Sequence, residues 1–358
     1  MRSTTIDRRS FVKAAGIGFL ASLAPRSLMA LERSDAIYAS GIRTGDGSFA
    51  VATVTERGEI VDQVALPARA HGMAFSAATG KAAAFARRPG TYAMIFDPRN
   101  KGEPVVINSR EGRHFYGHGA FSPDGRILYA SENDFDGNRG MIGLYDATDR
   151  FTRIGEFETC GIGPHDMTVS EDGRLLIVAN GGIETHPDFG RIKLNLGEMQ
   201  PSLALIDAAS GALVEKHLLP AEWSALSTRH VDLDGDGRIW FACQYEGHRK
   251  DLPPLVGHFA KGEDLTFIDL PEETTRRLAN YVGAIAVNRS AGLVGVTSPK
   301  GGASVTIDAR TGKVLSETII ADAAGIAPAK GGFAVSSYDG DFLSTRSDVA
   351  WDQHIVRI

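Results

Sequence analysis

The sequence predicts an all-β fold, a seven-bladed β-propeller closed by pairing of its N- and C-terminal strands. Three observations predict it. First, a hairpin unit recurs: a short apolar strand, a turn rich in Asp and Gly, and a second strand that ends in a polar cluster. Second, the steps from His71 to His118 and from His118 to His165 are both 47 residues, whereas the step from His165 to His230 is 65 and so contains an insertion. Third, each hairpin is followed by another pair with an antiparallel look, such as Met141–Tyr145 with Arg153–Phe157 and Leu203–Ile206 with Leu213–Leu218. Four strands per unit at this period is the propeller signature.

Taken in chain order, residues 1–30 stand apart from the fold. Arg8-Arg9-Ser10-Phe11-Val12-Lys13 form a twin-arginine signature, followed by the apolar run Ala14–Ala24 and an exit of small residues near Ala30. This pattern predicts a cleaved export signal and a periplasmic protein carried across the membrane already folded. The apolar run is far shorter than the roughly 20 residues that span a bilayer, so membrane insertion is not expected. Removing five basic side chains and one acid from a chain of net charge −6 leaves residues 31–358 at −10. Such acidity argues against nucleic acid as a partner. The two cysteines, Cys160 and Cys243, are too few to form a disulfide scaffold, and they fall in different repeats, so free thiols are expected.

Residues 31–358 are expected to form one propeller domain. The clearest hairpins are His118–Ser131, His165–Ala179 and His230–Cys243, and weaker copies start at His71, near Gly283 and near Gly325. The segment Trp351–Ile358 supplies the closing strand by pairing with Ala36–Ile42 and removes the exposed edges of a linear array. The stretch Asp339–Ala350 looks too short for a full outer pair, which keeps six blades as the alternative.

The up-and-down order of strands sends the Asp-Gly turns to one end of the ring. The other end receives His71, His118, His165, His230 and, with the closing strand, His354. It also receives Glu132-Asn133-Asp134, Asn180-Gly181-Gly182 and Gln244-Tyr245-Glu246. Inner strands line the channel, and several neutral imidazoles on one axis suit Zn, Cu or Fe. The competing reading is that each histidine only hydrogen-bonds a neighbouring blade. Counted back from the turns, His118 and His230 share a position, while His165 lies one residue earlier, with Asp166 in their slot. Neighbouring residues on a strand face opposite ways, so the spacing alone does not make the histidines converge.

The insertion at 181–202 packs Glu184, His186, Asp188, Arg191, Lys193 and Asn195 into twelve positions and is a candidate lid over the channel. Arg191 and Lys193 have the chemistry to hold a carboxylate or phosphate. A cap whose ion pairs only seal the ring is the alternative. No nucleophile elbow, phosphate-binding glycine loop, dinucleotide fingerprint or paired CxxC motif occurs. Asp232-Leu-Asp-Gly-Asp-Gly-Arg238 opens like a calcium loop, but its twelfth position is Cys243, and it reads as a turn.

Several stretches together resemble one family. They are Asn180-Gly-Gly-Ile-Glu-Thr-His-Pro-Asp-Phe-Gly-Arg191, Lys193-Leu-Asn-Leu196, Met199, Pro201-Ser-Leu203, Arg229-His-Val231 and Cys243-Gln-Tyr-Glu-Gly247. The chain is similar to the twin-arginine-exported propeller proteins of domain-of-unknown-function family 1513. The resemblance implies a periplasmic seven-bladed propeller, often encoded near imelysin-like iron-uptake and di-haem oxidoreductase-like proteins, and implies no established reaction.

The leading expectation is a periplasmic accessory protein that binds a metal ion or small metal complex at the channel mouth, in iron or copper handling. His118, His165 and His230 are the first-choice ligands and His71 a further one, with His186 and Glu184 contributing from the lid. Asn180, Arg191, Lys193 and Gln244 are expected to contact the bound group. Periplasmic iron-uptake or redox proteins are the expected partners. A metal-dependent lactonase or lyase and a docking platform without chemistry are the alternatives.

Overall fold

The computed structural model of the protein describes residues 36–100 and 102–358; the twin-arginine signature and the expected signal segment lie outside them. Among the described residues, seven four-stranded antiparallel sheets form a ring. The innermost strands are Val349–Arg357 (blade 1), Ala70–Ser76 (blade 2), Arg113–Phe121 (blade 3) and Pro164–Val169 (blade 4). Leu226–Leu233, Ala284–Asn288 and Ala323–Ala329 follow in blades 5 to 7, and each inner strand neighbours the next around the full circle. No described helix is long and apolar enough to cross a membrane.

Closure is as the sequence predicts. The C-terminal strand Val349–Arg357 pairs with Tyr38–Thr44 and becomes the inner strand of blade 1, so the first sheet is built from both ends of the chain. Seven blades, not six, are present. The outer pair of blade 7 does exist, but each of its strands, Asp341–Phe342 and Thr345–Arg346, is two residues long, which is why the sequence there looks incomplete.

The Asp-Gly turns repeat one device. Gly125 and Gly173 both adopt φ of 72°, open to glycine at no steric cost. Asp124 and Asp172 each accept a bond from the serine two residues earlier, at 2.6 Å in both blades. In blade 5, Asp234 accepts the backbone N–H groups of Asp236 and Arg238, so the calcium-like run is a turn. The apolar core lies between blades. One cluster joins Ile177 and Leu205 of blade 4, Trp240 and Phe241 of blade 5, and Val294 and Val305 of blade 6. Sheets packed in this way hold their inner strands rigidly on the channel. Cys160 and Cys243 are free thiols, and burial pushes the Cys243 thiol up, as suits a packing residue.

Candidate metal centre

Five of the seven inner strands carry a histidine toward the axis: His71, His118, His165, His230 and His354. Their one-residue offset is absorbed by a bulge at each site. Pairing with the second strand shifts between Ala70 and Met73, Phe115 and Gly119, Pro164 and Asp166, and Thr228 and His230. In blade 1 the shift falls opposite Asp352–His354. One or two extra residues on the inner strand re-aim the side chains beside them, so histidines out of register in the sequence point the same way.

Glycines make room for the rings. Gly117 has φ of 106°, and a Cβ there would stand 2.7 Å from the His71 ring. A Cβ on Gly72 would meet the Gly117 carbonyl and lie 2.5 Å from His118 Nδ1. The two glycines thus let neighbouring strands bring His71 and His118 together.

The imidazoles form one cluster, with ring centroids of neighbouring pairs 4.5 to 5.4 Å apart. Ligand atoms of His118, His165 and His230 all lie within 4.8 Å of one another, as do those of His71, His118 and His354. Asp166 anchors the cluster from below: Oδ1 is 3.1 Å from His118 Nδ1 and Oδ2 is 3.5 Å from His230 Nδ1. Burial opposes the carboxylate's charge, yet the two imidazoles outweigh it and hold Asp166 well below the usual carboxylate range. Burial, then repulsion from neighbouring cations, pushes His71, His165 and His354 far below the ordinary histidine value. His230 is also lowered by burial, against the pull of Asp166. These four rings are therefore neutral at neutral pH, the form in which imidazole binds metals.

The donor set fits a transition metal. His71 Nδ1, His118 Nε2 and His354 Nε2 are buried without a hydrogen-bond partner. Leaving such atoms unpaired costs about 1–3 kcal/mol each, which an ion shared among them would offset. His118 belongs to both ligand sets, and Asp166 occupies its Nδ1, so its one free nitrogen can serve a single ion. A carboxylate behind a ligating histidine is the usual second layer of a metal site.

The cluster closes the channel between two cavities. Below it, a space of about 580 Å³ is lined by His118, Asp166, His230 and His354 together with apolar side chains. Above it, a space of about 220 Å³ is lined by His71, His165 and His230 and by Arg87, Arg88, Arg191, Lys193, Arg229 and Lys300.

Residues 64–358 match the family described as "Protein of unknown function (DUF1513)". The chain belongs to the DUF1513 family. No curated protein matches it. Among solved structures, hydrazine synthase of Kuenenia stuttgartiensis is similar over 88% of this chain and 94% of that one, at 14% identity and a TM-score of 0.62. The Cps50 (Swd1) β-propeller domain of Myceliophteria thermophila is similar over 87% and 95%, at 10% identity and a TM-score of 0.61. A chain of a nidogen/laminin complex is similar over 78% and 92%, at 12% identity and a TM-score of 0.53. These likenesses concern the fold alone.

In this DUF1513 protein the structure brings His71, His118, His165, His230 and His354 together, and it brings Arg191, Lys193 and Gln244 to the upper cavity. It does not bring His186, Glu184 or Asn180 there. His186 stands on the lid against Phe135 and Phe189, its Nδ1 accepting the N–H of Asp188 at 3.2 Å. Glu184 accepts from Asn138 on blade 3 at 3.2 Å. The Asn180 side-chain amide donates to the Thr159 carbonyl at 3.0 Å, and the backbone carbonyl of Asn180 accepts from the Thr228 hydroxyl at 2.6 Å, so the residue ties blades 4 and 5 together. Glu132, at the equivalent place in blade 3, pairs with Arg153 and Tyr145 instead of entering the channel.

Sequence reasoning missed Arg87, Arg88, Arg229, Tyr281 and Lys300 as lining residues and Asp166 as the carboxylate behind the cluster. The signal was present for two of them. Arg87-Arg88 directly follow the second strand of blade 2, at the end of the ring where Gln244 lies near the end of the second strand of blade 5.

Proposed function

We propose that this protein binds one divalent transition-metal ion, free or as a small complex, in the five-histidine cluster, as a periplasmic accessory protein of iron or copper handling. The observation that carries the reading is the convergence of five imidazoles, His71, His118 and His354 among them with a buried nitrogen that has no partner, braced by the carboxylate of Asp166. A purely structural set of histidines would have its nitrogens paired with neighbouring blades. The test is metal analysis of protein folded in metal-supplemented medium, followed by titration of the stripped protein with Fe(II), Cu(II) and Zn(II). One ion per chain is expected, with loss of binding in His118→Ala and His230→Ala. Absence of bound metal, or binding unchanged in both variants, overturns the reading.

A second reading concerns a partner. The lid exposes the large apolar side chains of Phe189, Ile192, Leu194 and Leu196 beside the basic cavity. A periplasmic iron-uptake or redox protein docked there would meet the channel mouth directly. Pull-down with the purified candidate partner, comparing wild type with Phe189→Ser/Ile192→Ser, tests it, and equal capture by both counts against it.

A further inference from the structure

The upper cavity contains more positive charge than the fold requires. Six cationic side chains line it: Arg87, Arg88, Arg191, Lys193, Arg229 and Lys300. No carboxylate is among its lining residues. Glu246 pairs with two of the six, Lys193 and, at 3.6 Å, Arg229. Among the described residues, no ion pair is made by Arg87, Arg88, Arg191 or Lys300. This concentration occurs in a chain whose net charge is −6.

The cations are not incidental surface groups. Arg229 is buried, and its Nε has no partner; neither has the buried Nε of Arg87. Burial and mutual repulsion lower Arg87 and Arg191 and bring Arg88 down to about 10. Gathering like charges costs stability unless something of opposite sign joins them. Tyr116, Tyr281, Gln244 and Gln353 add hydroxyl and amide groups to the same wall. The volume, about 220 Å³, suits a small molecule and excludes a polymer.

We infer that the upper cavity is a binding site for a small, multiply charged anion, a polycarboxylate or a tetrahedral oxyanion, seated directly over the histidine cluster between the blade-2 arginines and the lid. Planar guanidinium groups on several sides match the forked oxygens of either class. The inference goes beyond metal binding, because it needs no metal. With an ion in the cluster, the anion would lie against His71, His165 and His230, which line the same cavity.

The experiment is calorimetric titration of the metal-stripped protein with citrate, inorganic phosphate and sulfate at low ionic strength. One site per chain is expected, with affinity falling as salt is raised. Arg191→Gln, on the exposed lid, and Arg88→Gln are each expected to weaken binding about tenfold, the loss of one charge-assisted hydrogen bond. A citrate preference identifies a polycarboxylate site, and a phosphate or sulfate preference an oxyanion site. Because the titrated protein is stripped of metal, anion binding stands or falls separately from metal binding. No binding of any of the three at millimolar concentration, or equal affinity in both arginine variants and wild type, overturns the inference.

Discussion

His118 and Asp166 meet from adjacent inner strands, with Nδ1 3.1 Å from Oδ1, and this one contact decides which imidazole nitrogen is free. The carboxylate engages Nδ1, which leaves Nε2, buried and unpartnered, as the nitrogen open to a ligand. Asp166 also accepts the backbone N–H groups of Met167 and Val231, at 2.8 and 3.2 Å, so its own orientation is fixed. Asp166→Asn preserves shape and removes the charge. Metal affinity is expected to fall about 10–100-fold, as when other carboxylates behind histidine ligands are lost. Competition against a chromogenic chelator measures it, and unchanged affinity would remove Asp166 from the site.

The burial of neutral imidazoles predicts how stability depends on pH. His71, His165, His230 and His354 all have folded values below the ordinary one. The unfolded chain takes up protons on these rings near pH ~6.5, and the folded chain does so only at lower pH. Below that point the unfolded state binds more protons, so stability is full above it and declines as pH falls. Each ring contributes a slope of up to about 1.4 kcal/mol per pH unit, or up to about 5.5 kcal/mol per unit for four rings together. Urea unfolding of the metal-free protein at pH 7.5 and 5.5 tests this. Equal midpoints would mean that the rings are already charged or solvated in the folded protein.

The ring was legible in the sequence because blade repeats depend on local chemistry. Asp124-Gly125 and Asp172-Gly173 specify their turns by themselves, and apolar strands flank them. The convergence of histidines was not legible. Strand alternation sends His165 and His118 to opposite faces, and only bulges at Pro164–Asp166 and Phe115–Gly119 reverse that outcome. A bulge is set by packing between blades and leaves no fixed sequence signature. His186 and Glu184 misled for a related reason: the lid is rich in ionisable groups, but only Arg191 and Lys193 of that loop reach the cavity.

Gly117 links backbone geometry to the site. Gly117→Ala places a methyl group 2.7 Å from His71 at a φ of 106°, so backbone strain and overpacking add. The cost is expected to be about 1–3 kcal/mol in urea unfolding. Metal affinity should fall with it, because the His71 ring must move. A variant with lower stability and normal metal affinity would show that His71 is not a ligand.

The C-terminal strand separates closure from chemistry within a few residues. Trp351 is fully buried, its ring 4.8 Å from Phe342 and its Nε1 donating to the Gly340 carbonyl at 3.2 Å, so it fastens blade 7 to the closing strand. Trp351→Ala is expected to cost about 3–5 kcal/mol. The backbone carbonyl of His354 accepts from Ser40 at 2.8 Å, a tie that survives substitution of the side chain. Its Nε2 is buried without a partner, so the imidazole adds little to folding. His354→Ala should therefore change stability of the metal-free protein by no more than about 1 kcal/mol while weakening metal binding. Urea unfolding and chelator competition on both variants decide the matter. If His354→Ala destabilises the metal-free protein as much as Trp351→Ala does, the imidazoles serve the fold rather than a metal.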